Sequence, residues 1–164
     1  MLKKLFIQNY AIIDEVEIEL SNGFSAITGE TGAGKSILMG ALGLILGERA
    51  DSTVLSQKEK KLVVEGVFDS GADQRVHQFL LAQELEGEQE LVLRREINPQ
   101  GKSRAFINDT PVNLGQLQQI SSLLVDLHQQ FDTLQLGQED FQREVLDALA
   151  GQFSLVGEYQ LSYE

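Results

Sequence analysis

Gly29-Glu30-Thr31-Gly32-Ala33-Gly34-Lys35-Ser36 fits the pattern G-x-x-x-x-G-K-[ST]. An apolar run, Phe24–Ile27, leads into it and an apolar segment, Ile37–Leu46, leads out, so the stretch reads as strand, glycine loop and helix. That arrangement turns free backbone N–H groups of the loop and of the helix start toward one anion. The glycines allow the tight turn and the close approach of backbone to phosphate. Lys35 supplies a flexible positive charge for the β- and γ-phosphates, and the Ser36 hydroxyl a ligand for Mg²⁺. At average residue usage the pattern arises by chance on the order of once per couple of hundred chains of this length, and the strand-before, helix-after setting makes it rarer. The plainer alternative is a Gly-rich turn capping a helix. Nucleoside triphosphate binding is the chemistry the residues favour.

The 164 residues give room for one domain with a real core, or for one lobe of something larger. An apolar fraction of 42% and a charged fraction of 23% are those of a soluble globular protein, and no apolar run is long enough to cross a bilayer. Polar residues return at Gln8 and Asn9 after the opening Met-Leu-Lys-Lys-Leu-Phe-Ile, which argues against a signal peptide and makes the cytoplasm the expected compartment. Without cysteine there is neither disulfide nor thiolate metal site. The net charge of −12 argues against nucleic-acid binding by the piece as a whole, though a local basic patch can survive in an acidic chain. Its candidates are Arg94, Arg95, Lys102 and Arg104 in one expected hairpin, and Lys58, Lys60 and Lys61. The default reading of these cations is a set of solvated strand and loop faces.

In chain order, Leu2–Ile7 is a strand, and Val16, Ile18 and Leu20 alternate with Glu15, Glu17 and Glu19 to give a second with one buried face. Phe24–Ile27 is then the third strand, so an antiparallel layer is expected ahead of the phosphate loop. The helix after Lys35 is apolar on most sides and should be buried, with Gly47 as its stop. Arg49 could reach a phosphate or a partner subunit, whereas pairing with Glu48 or Asp51 is the default. Leu62–Phe68 and Leu91–Ile97 read as strands, Asp73–Leu85 as an amphipathic helix, and 102–107 as the return strand of a hairpin turning at Asn98-Pro99-Gln100-Gly101. His77 has no second ligand at metal spacing and reads as surface. A helix opens near Asn113, with Leu114, Leu117, Ile120 and Leu124 on one face. Leu123–Asp126 imitates a Walker B strand, but Leu127 stands where a catalytic acid is expected. The following His128-Gln129-Gln130-Phe131 looks like a glutamine loop at the end of a strand, where an amide contacts Mg²⁺ and orients the attacking water. From Gln138 to Glu164 the pattern is helical, Leu149, Val156 and Tyr163 being seven apart, and it is still running at the last residue, as in a piece of a longer protein.

Residues 5–13 (Leu-Phe-Ile-Gln-Asn-Tyr-Ala-Ile-Ile), 23–38 and Leu46-Gly47-Glu48-Arg49-Ala50-Asp51 resemble the amino-terminal head of the RecN family, bacterial SMC-like DNA-repair ATPases. Lys102–Asn108, Pro111-Val112 and Asp126-Leu127-His128 extend the likeness to about Leu149. The resemblance implies an α/β fold of the P-loop NTPase, ABC/SMC-head type. Residues 1–137 would be its first lobe, with a mixed sheet around the phosphate-loop helix plus an antiparallel layer, and 138–164 the root of a coiled coil. It implies ATP and Mg²⁺, held by Gly29, Glu30, Thr31, Gly32, Ala33, Gly34, Lys35 and Ser36. It further implies a second lobe carrying the signature and Walker B motifs, a second head of a homodimer sandwiching the nucleotide, and DNA as partner in a bacterial, nucleoid-associated setting. The family has His-Gly-Gln-His where this chain has His128-Gln129-Gln130-Phe131. Matching from His128 puts the γ-phosphate-sensing and Mg²⁺-contacting amide at Gln130, and Gln129 remains a possible substitute. With general base and signature missing, the segment alone should be nearly inactive as an ATPase. Alternatives are a head of another SMC- or RecF-like protein, a stand-alone P-loop kinase, and a non-catalytic dimerisation module.

Overall fold

The computed structural model describes residues 1–28, 33–49, 52–71, 73–87, 89–126, 146 and 149–151. The chain divides into two compact units, Met1–Asp126 and Leu127–Glu164. The architecture that follows is that of the first; the expected coiled-coil root, 138–164, lies almost wholly outside the described residues.

Six strands form one sheet: β1 (Leu2–Tyr10), β2 (Ile13–Glu19), β3 (Leu62–Asp69), β4 (Glu90–Ile97), β5 (Ser103–Ile107) and β6 (Thr110–Val112). Their order is β2-β1-β3-β4-β5-β6, and every neighbouring pair is antiparallel. Among the described residues of this unit three helices accompany it, α1 (Ala33–Ile45), α2 (Gln74–Ala82) and α3 (Leu114–Leu124), with a 3₁₀ turn at Ser52–Val54. The register places Ile7, Val64, Arg95 and Ala105 side by side on one face, and Phe6, Glu65, Arg94 and Phe106 on the other. Because side chains alternate along a strand, one face of the whole sheet is apolar and the other polar, as in many antiparallel sheets.

The apolar face packs under the helices. Ile7, Leu62, Val64, Phe68, Leu91, Leu93, Ile97 and Ile107 are buried with Ala41, Leu44 and Ile45 of α1, Val76 and Leu80 of α2, and Leu117 and Ile120 of α3. Gly66 lets α1 approach: a Cβ there would stand 2.6 Å from Ile45 Cδ1 and 2.9 Å from Phe68 Cε2. Gly47 does two things at once. Its φ of +94° ends the helix in a conformation that costs glycine little, and its missing side chain leaves room for Gln118 of α3. Gln118 donates from Nε2 to Gly47 O at 2.8 Å, and Ser121 Oγ donates to Leu46 O at 3.0 Å, so α3 satisfies carbonyls left over at the end of α1.

Local signals account for most boundaries. Asp73 caps α2, its carboxylate accepting from Arg75 N at 2.9 Å. Asn113 and Gln116 form a reciprocal capping box at the start of α3, each accepting from the other's backbone at 2.9 Å. Asn108 and Asp109, at φ +46° and +64°, make the two-residue turn between β5 and β6, both central residues left-handed as a twist-matched hairpin requires. That adds a short strand where the sequence suggested only a turn.

Two expectations are corrected. Phe24–Ile27 is not a strand: no described strand pairs with it, Phe24 is 92% exposed and Ile27 52% exposed. Apolar composition favours a strand only when a neighbour supplies hydrogen bonds and cover, and within the described residues none does. The sheet of the described residues is accordingly antiparallel throughout instead of mixed. Second, Leu123 and Leu124 close helix α3, and Val125 N donates to Ser121 O at 2.9 Å, so Asp126 does not follow a strand. The 3–4 spacing of Leu114, Leu117, Ile120 and Leu124 prevails over the short run of apolar residues.

Candidate functional site at the start of helix α1

Ala33, Gly34, Lys35 and Ser36 form the first turn of α1. The first N–H groups of a helix have no intrahelical acceptor, and the helix dipole adds positive potential there. No acidic side chain lies in that turn to occupy them. Gly34, Lys35 and Ser36 are exposed, and among the described residues no atom comes within 4 Å of the position a Gly34 Cβ would take. The residues therefore fit a triphosphate and its magnesium ion: donors at a helix start, a cation and a hydroxyl, with no acidic side chain in that turn. Gly29, Glu30, Thr31 and Gly32, like Gln129 and Gln130, lie outside the described residues.

The helix is held from its other half. Ala41, Leu44 and Ile45 are buried, whereas Leu38 and Leu42 are half-buried and Met39 is 36% exposed. These three, with Leu5, Ile18 and Phe24, line an open apolar groove of about 410 Å³ between α1 and the β1–β2 edge. The expectation that α1 is buried on most sides thus holds only for the face that carries Ala41, Leu44 and Ile45.

A second anchor lies at the end of β1, in the segment Asn9-Tyr10-Ala11. Asn9 is 3% exposed and sits at φ +56°, a left-handed conformation that Asn tolerates better than most residues. Its side chain accepts from Gln57 N at 2.6 Å and donates to the carbonyls of Gln57 and Lys60, each at 2.9 Å. Tyr10 bridges to Leu55, Ala11 N donates to Val54 O at 2.7 Å, and the Tyr10 hydroxyl lies against Gly40 of α1. Burial, and then the Glu48 carboxylate, raise the pKa of that hydroxyl. The three residues tie the 52–61 segment and the middle of α1 to the sheet. Asn9 carried no recognisable signal of this role; an asparagine ending an alternating strand is the one hint.

The basic candidates separate in space. Arg94 is spent on the polar sheet face, over the Phe106 ring at 4.7 Å and paired with Asp109 at 2.8 Å and Glu65 at 3.6 Å. Arg95 is on the opposite face and only 5% exposed, its pKa lowered by burial. Neither can serve a surface patch. Lys58, Lys60, Lys61, Lys102 and Arg104 are exposed. Arg49 is exposed and forms no ion pair among the described residues; Glu48 folds back onto Gly43 instead of pairing with it. His77 is exposed, and the described residues contain no cluster of metal-ligating side chains.

A phosphate-loop helix on an antiparallel sheet defines a class, and comparison with known proteins gives it a name: residues 4–161 match the AAA domain family, to which the chain belongs. Its sequence is similar to the DNA repair protein RecN of Vibrio cholerae, with 41% identity over 100% of this chain and 30% of that protein. RecN of Haemophilus influenzae is 37% identical over 100% of this chain and 30% of its own length, and RecN of Bacillus subtilis 36% over 92% and 26%. The resemblance drawn from residues 5–13 and 23–38 is borne out. The chain spans roughly a third or less of the length of these relatives. Among solved structures, one from work on ATP-driven dimerization and DNA-stimulated activation of SMC ATPases aligns with a TM-score of 0.61 at 23% identity, covering 88% of this chain and 96% of that one. The Smc head of Pyrococcus furiosus bound to the C-terminal domain of ScpA gives 0.60 at 22%, covering 76% and 33%. The recombination mediator RecF gives 0.56 at 19%, covering 71% and 29%. At these identities the likeness is one of fold, and the fold is the α/β P-loop ATPase head.

Proposed function

We propose that this chain is the ATP- and Mg²⁺-binding segment of a RecN-like ATPase acting in DNA double-strand-break repair and recombination. The carrying observation is that Gly34, Lys35 and Ser36 of a G-x-x-x-x-G-K-S stretch form the exposed, acid-free first turn of a well-anchored helix. In this reading the amides of residues 29–35 hold the β- and γ-phosphates, Lys35 neutralises charge on them, and Ser36 ligates magnesium. Gln130, or Gln129 in its place, orients water at the γ-phosphate. ATP lies between two heads of a homodimer, so that engagement and hydrolysis are coupled, and DNA is bound by the full-length protein.

A second lobe completes the head in this reading. The groove by Phe24 and Met39 supports it, because an apolar strip beside a functional loop is costly to leave in water. Residues 138–164 then root a coiled coil. Hydrogen exchange at 21–28 and 37–42 should be slower in the full-length protein than in this chain; equal rates would remove the second lobe from this face.

Nucleotide binding is tested by titrating the chain with a fluorescent ATP analogue and Mg²⁺, in wild type and Lys35→Ala. Binding should saturate in the former and weaken at least about tenfold in the latter, the loss of one charge-assisted phosphate contact. No saturable binding, or binding indifferent to Lys35, would end this reading. Phosphate release from the chain alone should stay near background; multiple turnovers at the rate of the intact protein would show that the segment needs no further catalytic group.

A further inference from the structure

The cations of this acidic chain are not distributed evenly among partners. Among the described residues, Lys3 pairs with Asp69, Lys4 with Glu17, Arg75 with Asp73 and Arg94 with Asp109, while Arg95 is buried. Lys35 is in the first turn of α1 and Arg49 follows its end. The rest, Lys58, Lys60, Lys61, Lys102 and Arg104, gather at one end of the sheet. Leu62 pairs with Ile97 and Ile97 with Ser103, so the 57–61 loop that enters β3 and the 98–102 turn that enters β5 are neighbours across β4. Two strand spacings, about 10 Å, separate their exits. Lys61 is engaged by Glu96 at 3.2 Å. Lys58, Lys60, Lys102 and Arg104 are exposed and have no carboxylate partner among the described residues, in a sequence where Asp and Glu outnumber Lys and Arg by 25 to 13.

The acids near them offset the patch only in part: among the described residues the four free cations outnumber by one the acids without an ion pair, Glu59, Asp14 and Glu15, whose amide hydrogen bonds leave their charge in place. Glu59 is in the same loop. Glu96 is shared by Lys61 and Arg94, Asp14 accepts from Gln57 at 3.1 Å, and Glu15 accepts from Gln8 at 2.8 Å. Both supporting loops are also fixed from within. Asn9 clamps 57–61 through Gln57 and Lys60. Asn98 clamps its own turn, its side-chain oxygen accepting from Gln100 N at 3.0 Å and Lys102 N at 2.8 Å. Unpaired cations thus stand on two pre-ordered frames, which lowers the ordering cost of binding a polyanion.

We infer that the end of the sheet formed by residues 57–61 and 98–104 is a contact for the phosphate backbone of duplex DNA. This rests on the reading that the full-length protein acts on DNA. Duplex DNA presents one charge per ~1.7 Å of axis, so a patch ~10 Å wide faces several phosphates at once. Three of the four free cations are lysines, point charges that suit phosphates, and neither loop carries an aromatic side chain to stack on bases. The contact is therefore independent of base sequence and sensitive to salt.

The experiment is fluorescence anisotropy of labelled duplex DNA with the full-length protein, wild type and the variant K58A/K60A/K102A/R104A, across a salt series. The variant should bind at least about tenfold more weakly near 0.1 M salt, and its log K against log salt slope should be shallower by ~3 to 4, one contact per cation. ATP affinity should not change. If wild type fails to bind duplex, the DNA reading itself fails; if wild type binds and the variant keeps its affinity and slope, only this assignment is overturned. A variant that keeps DNA but loses anionic vesicles of phosphatidylserine also overturns it. Should the fourfold variant melt early, the pairs K58A/K60A and K102A/R104A, each expected to reduce the slope by ~2, carry the same test.

Discussion

The two halves of helix α1 live in different environments. The C-terminal half rests on Gly66, fits Ile45 into the core, and hands its last carbonyls to Ser121 and Gln118. The N-terminal half carries Gly34, Lys35 and Ser36, and its Leu38 and Met39 line a groove shared with Phe24 and Ile27 that no described residue covers. The contrast separates what the chain stabilises by itself from what it offers to a ligand or to further protein. A helix can hold its first turn open to an anion because its second half is fixed; rigidity at one end pre-positions the donors at the other.

Four substitutions would break or sharpen that contrast, and urea denaturation of the chain measures each. Gly66→Val puts a Cβ within 3 Å of Ile45 Cδ1 and Phe68 Cε2 with two methyl groups beyond it, and should destabilise by about 3 kcal/mol, since both neighbours are fully buried. A loss under about 1 kcal/mol would mean α1 is not seated as described. Asn9→Ala removes an amide that accepts from Gln57 N and donates to the Gln57 and Lys60 carbonyls, and should cost about 2 kcal/mol while speeding hydrogen exchange at 54–61. Unchanged exchange there would show that the loop holds itself. Asn113→Ala opens the capping box of α3 and should cost about 1 kcal/mol, read as a shift of the urea midpoint at constant slope. Phe24→Ser, on the open side, should change the stability of this chain by less than about 0.5 kcal/mol, because a side chain 92% exposed has almost no contacts to lose. A large loss would place Phe24 in a packed position and close the groove.

Much of the molecule was legible before its structure. β2 alternates apolar with acidic residues, β3 and β4 open on apolar runs after turn signals, and such patterns are local. Asp73, Asn113 and Gly47 marked helix ends because capping is a matter of one side chain and a few backbone groups. The start of α1 at Ala33 was legible for the same reason: the glycine-rich stretch before Lys35 gives way there to a run of good helix formers. The failures are equally instructive. Phe24–Ile27 has the composition of a strand and lacks a neighbour within the described residues. Leu123 and Leu124 have the look of a strand and end a helix, since their side chains continue a face begun at Leu114. Arg94 and Arg95, adjacent in sequence, seemed one basic feature until the pleat put them on opposite faces.

The sequence by itself determined the chemistry on offer: glycines with a lysine and a serine at a helix start, in a chain whose residues 4–161 match the AAA domain family. These properties follow from near neighbours in the chain, so residue type and spacing suffice to reveal them. Tertiary structure decided which cations are free, which face of α1 is covered, and that Asn9 clamps the backbone of the 57–61 loop. Those outcomes depend on strand register and on contacts between residues about fifty positions apart, and a one-residue change of register would exchange the faces of Arg94 and Arg95.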